Sequence, residues 1–361
     1  MKRYGSLLPT VAVLLALPLV CVSAQDLLWR AYSQGSPENK ALLAESLARM
    51  ASVRQKALTA TQEPDWNADA DVQWLMSHRI PTMLVVEQEY DRQHEGFQIE
   101  AMVHMTVGLG AARLTKHLPA LLQEANTEHA RMKVLRVMAD LRDKGSVAAL
   151  ERFLTSADAT TPEDQICQAA RGLSLTRDGK HQAALIRASG MVVSEPARTR
   201  LAAARYLCGE AEMAQRILDV LDKKDADRAA RFAALDFFAE NPLQKAVPSL
   251  ADLAARSEDG PVAARAWEVL LHTTGYSVPP PELRERPADA QRADASAEED
   301  KRPAGSLPEP AEMAKLPRAE RDKYAMSILK WWVEHPEARP QAIRQIARTE
   351  ALAATCEGES R

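Results

Sequence analysis

"HARMKVLRVMADLRDKGSVAAL" occupies His129–Leu150, and "AARFAALDFFAENPLQKAVPSL" occupies Ala229–Leu250, one hundred residues later. Ala130, Arg131, Leu135, Ala139, Val147 and Leu150 align with Ala230, Arg231, Leu235, Ala239, Val247 and Leu250. Met132, Val137 and Met138 align with Phe232, Phe237 and Phe238, and Asp140 with Glu240. Each copy reads as run, turn, run. In the first, Val134, Leu135 and Met138 fall at i, i+1 and i+4, which puts them on one face of a helix. A polar turn follows in both copies ("DLRDKGS", "AENPLQK"), then a second apolar run ("VAALERFL", "VPSLADLA"). One helix pair cannot bury both of its apolar faces, so the pattern predicts neighbouring pairs that stack and share a core.

A shorter word supports the echo. Ala169-Ala170-Arg171 returns as Ala203-Ala204-Arg205 after thirty-four residues, and Ala229-Ala230-Arg231 returns as Ala263-Ala264-Arg265 at the same spacing. The step between the second and third copies is shorter. Composition agrees with helices. Aromatic residues are 5% of the 361, hydrophobic residues 46% and charged residues 27%. Ala, Leu, Arg and Glu dominate, side chains that lose little rotamer freedom in a helix.

"ARFAALDFFAENPLQKAVPSLADLA" and "PVAARAWEVLLHTTG" resemble HEAT repeats, in particular the short HEAT-like (armadillo-type) repeats of exported bacterial proteins. The resemblance covers about Phe97 to Gly275 and is clearest from Ala130 onward. It extends to "HTTGYSV" and "ILKWWVEHP", which look like the stop and the Trp-rich helix that follow the last repeat in such proteins. It implies an all-α fold, an α-solenoid of stacked antiparallel helix pairs, with the second helix of each pair lining one concave side. On that analogy Arg131, Arg136, Arg200, Arg205 and Arg231 face a protein partner.

The expected organisation follows from these boundaries. Residues 25–96 form a helical cap, with Gly35 ending one helix and Ser36-Pro37 opening the next. Asp65 to His78 and Pro81 to Asp91 read as two further helices of the cap. Residues 97–278 carry the array. Residues 279–317, rich in Pro, Ala and acids, read as a disordered linker that cannot support a core. Residues 318–361 return to helix, over Arg318–Glu334 and Ala338–Ala354.

"MKRYGSLLPTVAVLLALPLVCVSAQ" reads as an export signal with Lys2 and Arg3 at its positive end and cleavage after Ala24. The mature chain is therefore expected in the periplasm or outside the cell, without stable membrane insertion. The whole chain carries a net charge of −4, and cleavage makes it more acidic. Basic and acidic residues interleave along every helix, so no basic face invites nucleic acid. Cys167, Cys208 and Cys356 remain after cleavage. The thirty-four-residue frame offsets Cys208 from Cys167 by about 10 Å along equivalent helices, too far for a disulfide.

The densest set of potential ligands is "EQEYDRQHEGFQIEAMVHM", with Glu87, Glu89, Asp91, His94, Glu95, Glu100 and His104. Zinc hydrolases place two His one helical turn apart, whereas His94 and His104 are ten apart across Gly96. No nucleophile elbow or phosphate loop is present, and no metal, cofactor or catalytic residue is expected. Trp331 and Trp332 are either partner anchors or packing residues for the last pair. The reading is a non-catalytic exported scaffold that binds a protein partner. The alternatives are a helical-array enzyme acting on polysaccharide, of the α/α-toroid kind, and a subunit of an envelope complex.

Overall fold

A computed structural model describes residues 24–110, 112–276 and 307–336. Among them every regular element is a helix, and the fold is all-α. The expected signal segment (apart from Ala24), most of the linker and the helix over Ala338–Ala354 lie outside the described residues. The chain divides into two compact units, and the division falls after Val137.

In the first unit, α1 (Ala24–Ser33), α2 (Pro37–Thr59), α3 (Ala70–Ser77), α4 (Arg79–Glu89) and α5 (Gln98–Leu109) gather around α2. Helix α2 starts where Ser36 and Pro37 direct it: the Ser36 hydroxyl accepts the Asn39 N–H, and Pro37 takes the first turn. Leu43, Met50, Val53 and Ala57 then bury one stripe of α2. Short helices α6 (Ala112–Thr115) and α7 (Leu118–Glu124) follow, and α8 (Glu128–Leu141) runs across the division. Helix α5, where the sequence places the start of the array, packs on α2, α3 and α4, because Ile99, Ala101, Met102, Val103 and Met105 bury most of its circumference among them.

The second unit is built on α9 (Lys144–Ser156), α10 (Glu163–Ser174), α11 (Gln182–Ser189), α12 (Glu195–Leu207), α13 (Met213–Asp222), α14 (Arg228–Glu240), α15 (Val247–Arg256) and α16 (Gly260–Thr274). Helix α10 packs on α12, α12 on α14 and α14 on α16. Their first residues are 32, 33 and 32 apart, a steadier step than the Ala-Ala-Arg word shows. That word sits mid-helix in α10, near the end of α12 and in the opening turns of α14 and α16. Its irregular spacing reflects a tripeptide that suits any helical position. Between these helices and α13 and α15 lies an apolar seam that includes Ile217, Leu221, Leu235, Phe238, Leu250, Trp267 and Leu270.

The helix starts are tied to one another. Glu163, first residue of α10, accepts the Ser194 N–H and the Ser194 hydroxyl, and Ser194 is the N-cap of α12. Glu195, first residue of α12, accepts at 2.8 Å from the N–H of Asp227, the N-cap of α14. Arg228, first residue of α14, pairs at 2.9 Å with Asp259, the N-cap of α16. Carboxylates at these positions also meet the positive ends of the helix dipoles.

The end of the unit departs from the expected disordered linker of residues 279–317. Leu307–Pro317 packs down, with a one-turn helix, α17 (Pro310–Met313), whose Met313 is fully buried. The Trp267 indole N–H donates to the Pro308 carbonyl at 2.9 Å. One buried Met and one indole donor give this Pro-rich stretch the anchors that composition alone does not reveal. Helix α18 (Arg318–Glu334) then lies on α15, burying Ala325, Ile328 and Trp332. Arg321 is buried and donates to the carbonyls of Ala254 and Ser257 at the end of α15.

Candidate functional site

The carboxylates and histidines of Glu87–Met105 are not brought together. Glu87 is paired with Arg113 and Lys116, and Glu89 with Arg54 and Arg92. His94 Nδ1 meets Glu124 at 2.8 Å. Among the described residues no group of three or more His, Cys, Asp or Glu is placed to hold a metal ion. Glu100 and His104, one turn apart on α5, face a different set. Glu63 is bound by His129 and Lys133, themselves one turn apart on α8. Burial pushes the Glu100 carboxyl up and the His104 imidazole down, and the charge of Glu63 adds to the effect on Glu100. Burial opposes ionisation of Glu63, yet the bonds from Lys133 and His129 hold its carboxyl below the usual range. This network ties the residues after α2 to α5 and α8.

The arginines singled out in the sequence have separate tasks. Arg131 donates to the Ala125 carbonyl at 2.8 Å, and Arg231 to the carbonyls of Lys223 and Lys224. Both tie a helix to the turn before it. Arg200 pairs with Asp164 across α12 and α10 at 3.0 Å. Arg136 is exposed and makes no ion pair among the described residues. Trp332 is 5% exposed in the core, and Trp331 stacks on His335 and meets Tyr276 edge-on. Of the seven candidates, Arg205 lines a groove.

That groove, about 560 Å³, lies over α12 between α11 and α13. Helix α11 packs on α9 and α13 on α15, and the groove occupies the gap where α11 and α13 part. Glu195, Arg198, Thr199, Ala202 and Arg205 of α12 contribute one wall, and Met213, Arg216, Val220 and Lys223 the other. The spacings i, i+3 and i+7 place each set on one helical face. Arg200 is only two residues from Arg198, about 200° around the helix, and so points toward α10 instead. On α12, Arg198, Ala202 and Arg205 follow one another at i, i+4 and i+7. Arg216 and Val220 of α13 and Lys223, which caps its end, repeat that order.

The charges are unevenly satisfied. Arg205 is held by both oxygens of Glu210, through Nε at 3.0 and 3.1 Å and Nη2 at 2.5 Å, which raises the guanidinium above its usual value. Lys223 pairs with Glu195 at 2.9 Å and is raised by that hydrogen bond. Arg198 and Arg216 are exposed and form no ion pair among the described residues. Glu163 feels the charge of Arg198, but its oxygens are engaged by Val193 and Ser194. Val193, on the rim, is 74% exposed. The groove therefore offers an apolar middle with unpaired guanidinium groups around it. The sequence hides this because Arg198 and Arg216 lie on separate helices and look like any other charged surface position.

No family model, curated protein or solved structure matches the chain. No helix among the described residues is long and apolar enough to cross a membrane.

Proposed function

We propose that the chain is an exported, non-catalytic binding scaffold: a HEAT-like α-solenoid that captures a protein partner in the groove over α12. The observation that carries this reading is the groove itself. It has the volume of a ligand-binding cleft, roughly 300–1,000 Å³ in general, and it exposes Val193 beside the unpaired Arg198 and Arg216. The serial contacts of α10, α12, α14 and α16 and their even step support the solenoid, in which each pair covers the apolar flank of the last. Export is supported by the pattern of Met1–Ala24. The groove lies on α12, one of the second helices that the resemblance assigns to the concave face, but the arginines left free there are Arg198 and Arg216, while most of those assigned to that face are engaged within the chain.

The test is photo-crosslinking in the cell that makes the protein. A benzophenone amino acid at Val193 is expected to give a discrete protein adduct, and the same group at Val333, exposed on α18, is not. A ladder of adducts identical at both positions, or none at Val193, would remove the reading.

A further inference from the structure

We infer that the groove over α12 takes an extended acidic peptide segment of another protein, with an apolar side chain seated between two carboxylates that reach Arg198 and Arg216. The inference rests on the binding-scaffold reading above and assigns its ligand chemistry.

The geometry sets the spacing. The Lys223–Glu195 pair joins the end of α13 to the start of α12, so the two helices run antiparallel. The shared order of cation, apolar residue and cation therefore runs in opposite directions on the two walls. One end of the groove holds unpaired Arg198 beside the neutralised Lys223. The other holds unpaired Arg216 beside the neutralised Arg205. Ala202 and Val220 lie between. Seven residues of helix separate the paired and unpaired cations on each wall, about 10 Å. An extended peptide advances about 3.3 Å per residue, so carboxylates about three positions apart span the same distance.

Charge and floor select this class over others. Four cations line the groove, and Glu195 and Glu210 each engage one, so two guanidinium groups await anions. Guanidinium binds carboxylate through two parallel N–H bonds, a geometry that fixes orientation as well as charge. A polyphosphate or nucleic acid strand would need a continuous basic track, whereas here Ala202, Val220 and Met213 interrupt it. Those same residues fit an aliphatic side chain. The chain's net charge is −4, so a second copy offers no general attraction, while the groove is locally basic.

The experiment is selection from a displayed library of random twelve-residue peptides on the full chain. Selected sequences are expected to carry two acidic residues about three positions apart around an aliphatic one. R198E/R216E is expected to weaken them at least about tenfold, the worth of one charge-assisted contact. K245E, an exposed change outside the groove, is expected to leave them unaffected. Uncharged peptides that are lost on V193W, a rim substitution that blocks the groove, would overturn the acidic assignment and leave the scaffold reading in place. Acidic peptides that bind R198E/R216E unchanged, or equal competition by tripolyphosphate, would also overturn it. Circular dichroism of each variant establishes that the helices are intact.

Discussion

Glu163 and Ser194 join the start of one helix to the cap of the next. The Ser194 hydroxyl donates to Glu163 and accepts the Ala197 N–H at 3.3 Å, while its own N–H reaches Glu163 at 3.1 Å. The cap that starts α12 is thus held in place by α10. Glu195 repeats the relationship toward Asp227 and adds Lys223. These two carboxylates tie together the starts of the alternate helices α10, α12 and α14.

Both lie below the ordinary glutamate value of 4.5. The Ser194 hydroxyl is the main cause at Glu163, and the Asp227 N–H at Glu195. A lowered native value means stabilisation that is fully present above the unfolded value and lost as the pH falls through the native one. E163Q and E195Q are each expected to cost about 1 kcal/mol at neutral pH, the usual worth of a cap. The gap to wild type should close in urea titrations repeated well below pH 4.5. A gap independent of pH would assign the loss to packing.

Gly172 sits where α10 comes close to Leu150 and Ala139. A Cβ there would stand 2.5 Å from Leu150 Cδ1 and 2.9 Å from Ala139 Cα. Leu150 can rotate, but the backbone of Ala139 cannot yield without moving its helix. G172A gains about 1 kcal/mol of helix propensity against an overpacking cost of about 1–3 kcal/mol. A net fall in the urea midpoint is expected, despite the better helix former.

Arg321 fastens α18. It is 8% exposed and donates at 2.9 Å to the Ser257 carbonyl, which caps the end of α15. R321M keeps the length and removes the donors, leaving buried carbonyls unpaired at a cost of about 1–3 kcal/mol. Amide exchange within Arg318–Glu334 should accelerate, while exchange in α10 and α12 stays as in wild type. Uniform acceleration would show that α18 is not a separately opening element.

Glu100 is 2% exposed, and its Oε2 has no hydrogen-bond partner. Its raised carboxyl means that ionisation works against the fold. The penalty grows as the pH rises from 4.5 to the raised native value and is constant above it. E100Q stays neutral, so its melting temperature should exceed wild type by a margin that widens over that window. An equal margin at every pH would place the effect in shape and not in charge.

Cys167 and Cys208 are free and buried. Burial pushes Cys167 up to about 12 and Cys208 up to about 11. Thiolate is the reactive form, so iodoacetamide labelling near pH 8 should follow the unfolding curve in urea. Rapid labelling of either residue in the absence of urea would contradict this burial.

The helices were legible because their causes are local. Ser36-Pro37 announces α2 within four residues, and the run, turn and run of His129–Leu150 and Ala229–Leu250 locate α8 with α9 and α14 with α15. The spacing of α10, α12, α14 and α16 was not, because Ala-Ala-Arg suits any helical position and the even step lies instead in the helix starts at Glu163, Glu195, Arg228 and Gly260. Leu307–Pro317 misled for a related reason: its composition is that of a linker, and its order depends on Trp267 forty-one residues away at Pro308.

The sequence by itself determined an all-helical chain with paired apolar stripes, since periodicity and capping act within a turn or two. Only the tertiary structure decided which charges are spent and which are free. Arg131, Arg200, Arg205 and Arg231 are engaged, while Arg198 and Arg216 are left open on the groove. That choice depends on which helix lies beside each guanidinium, and packing across distant segments sets it.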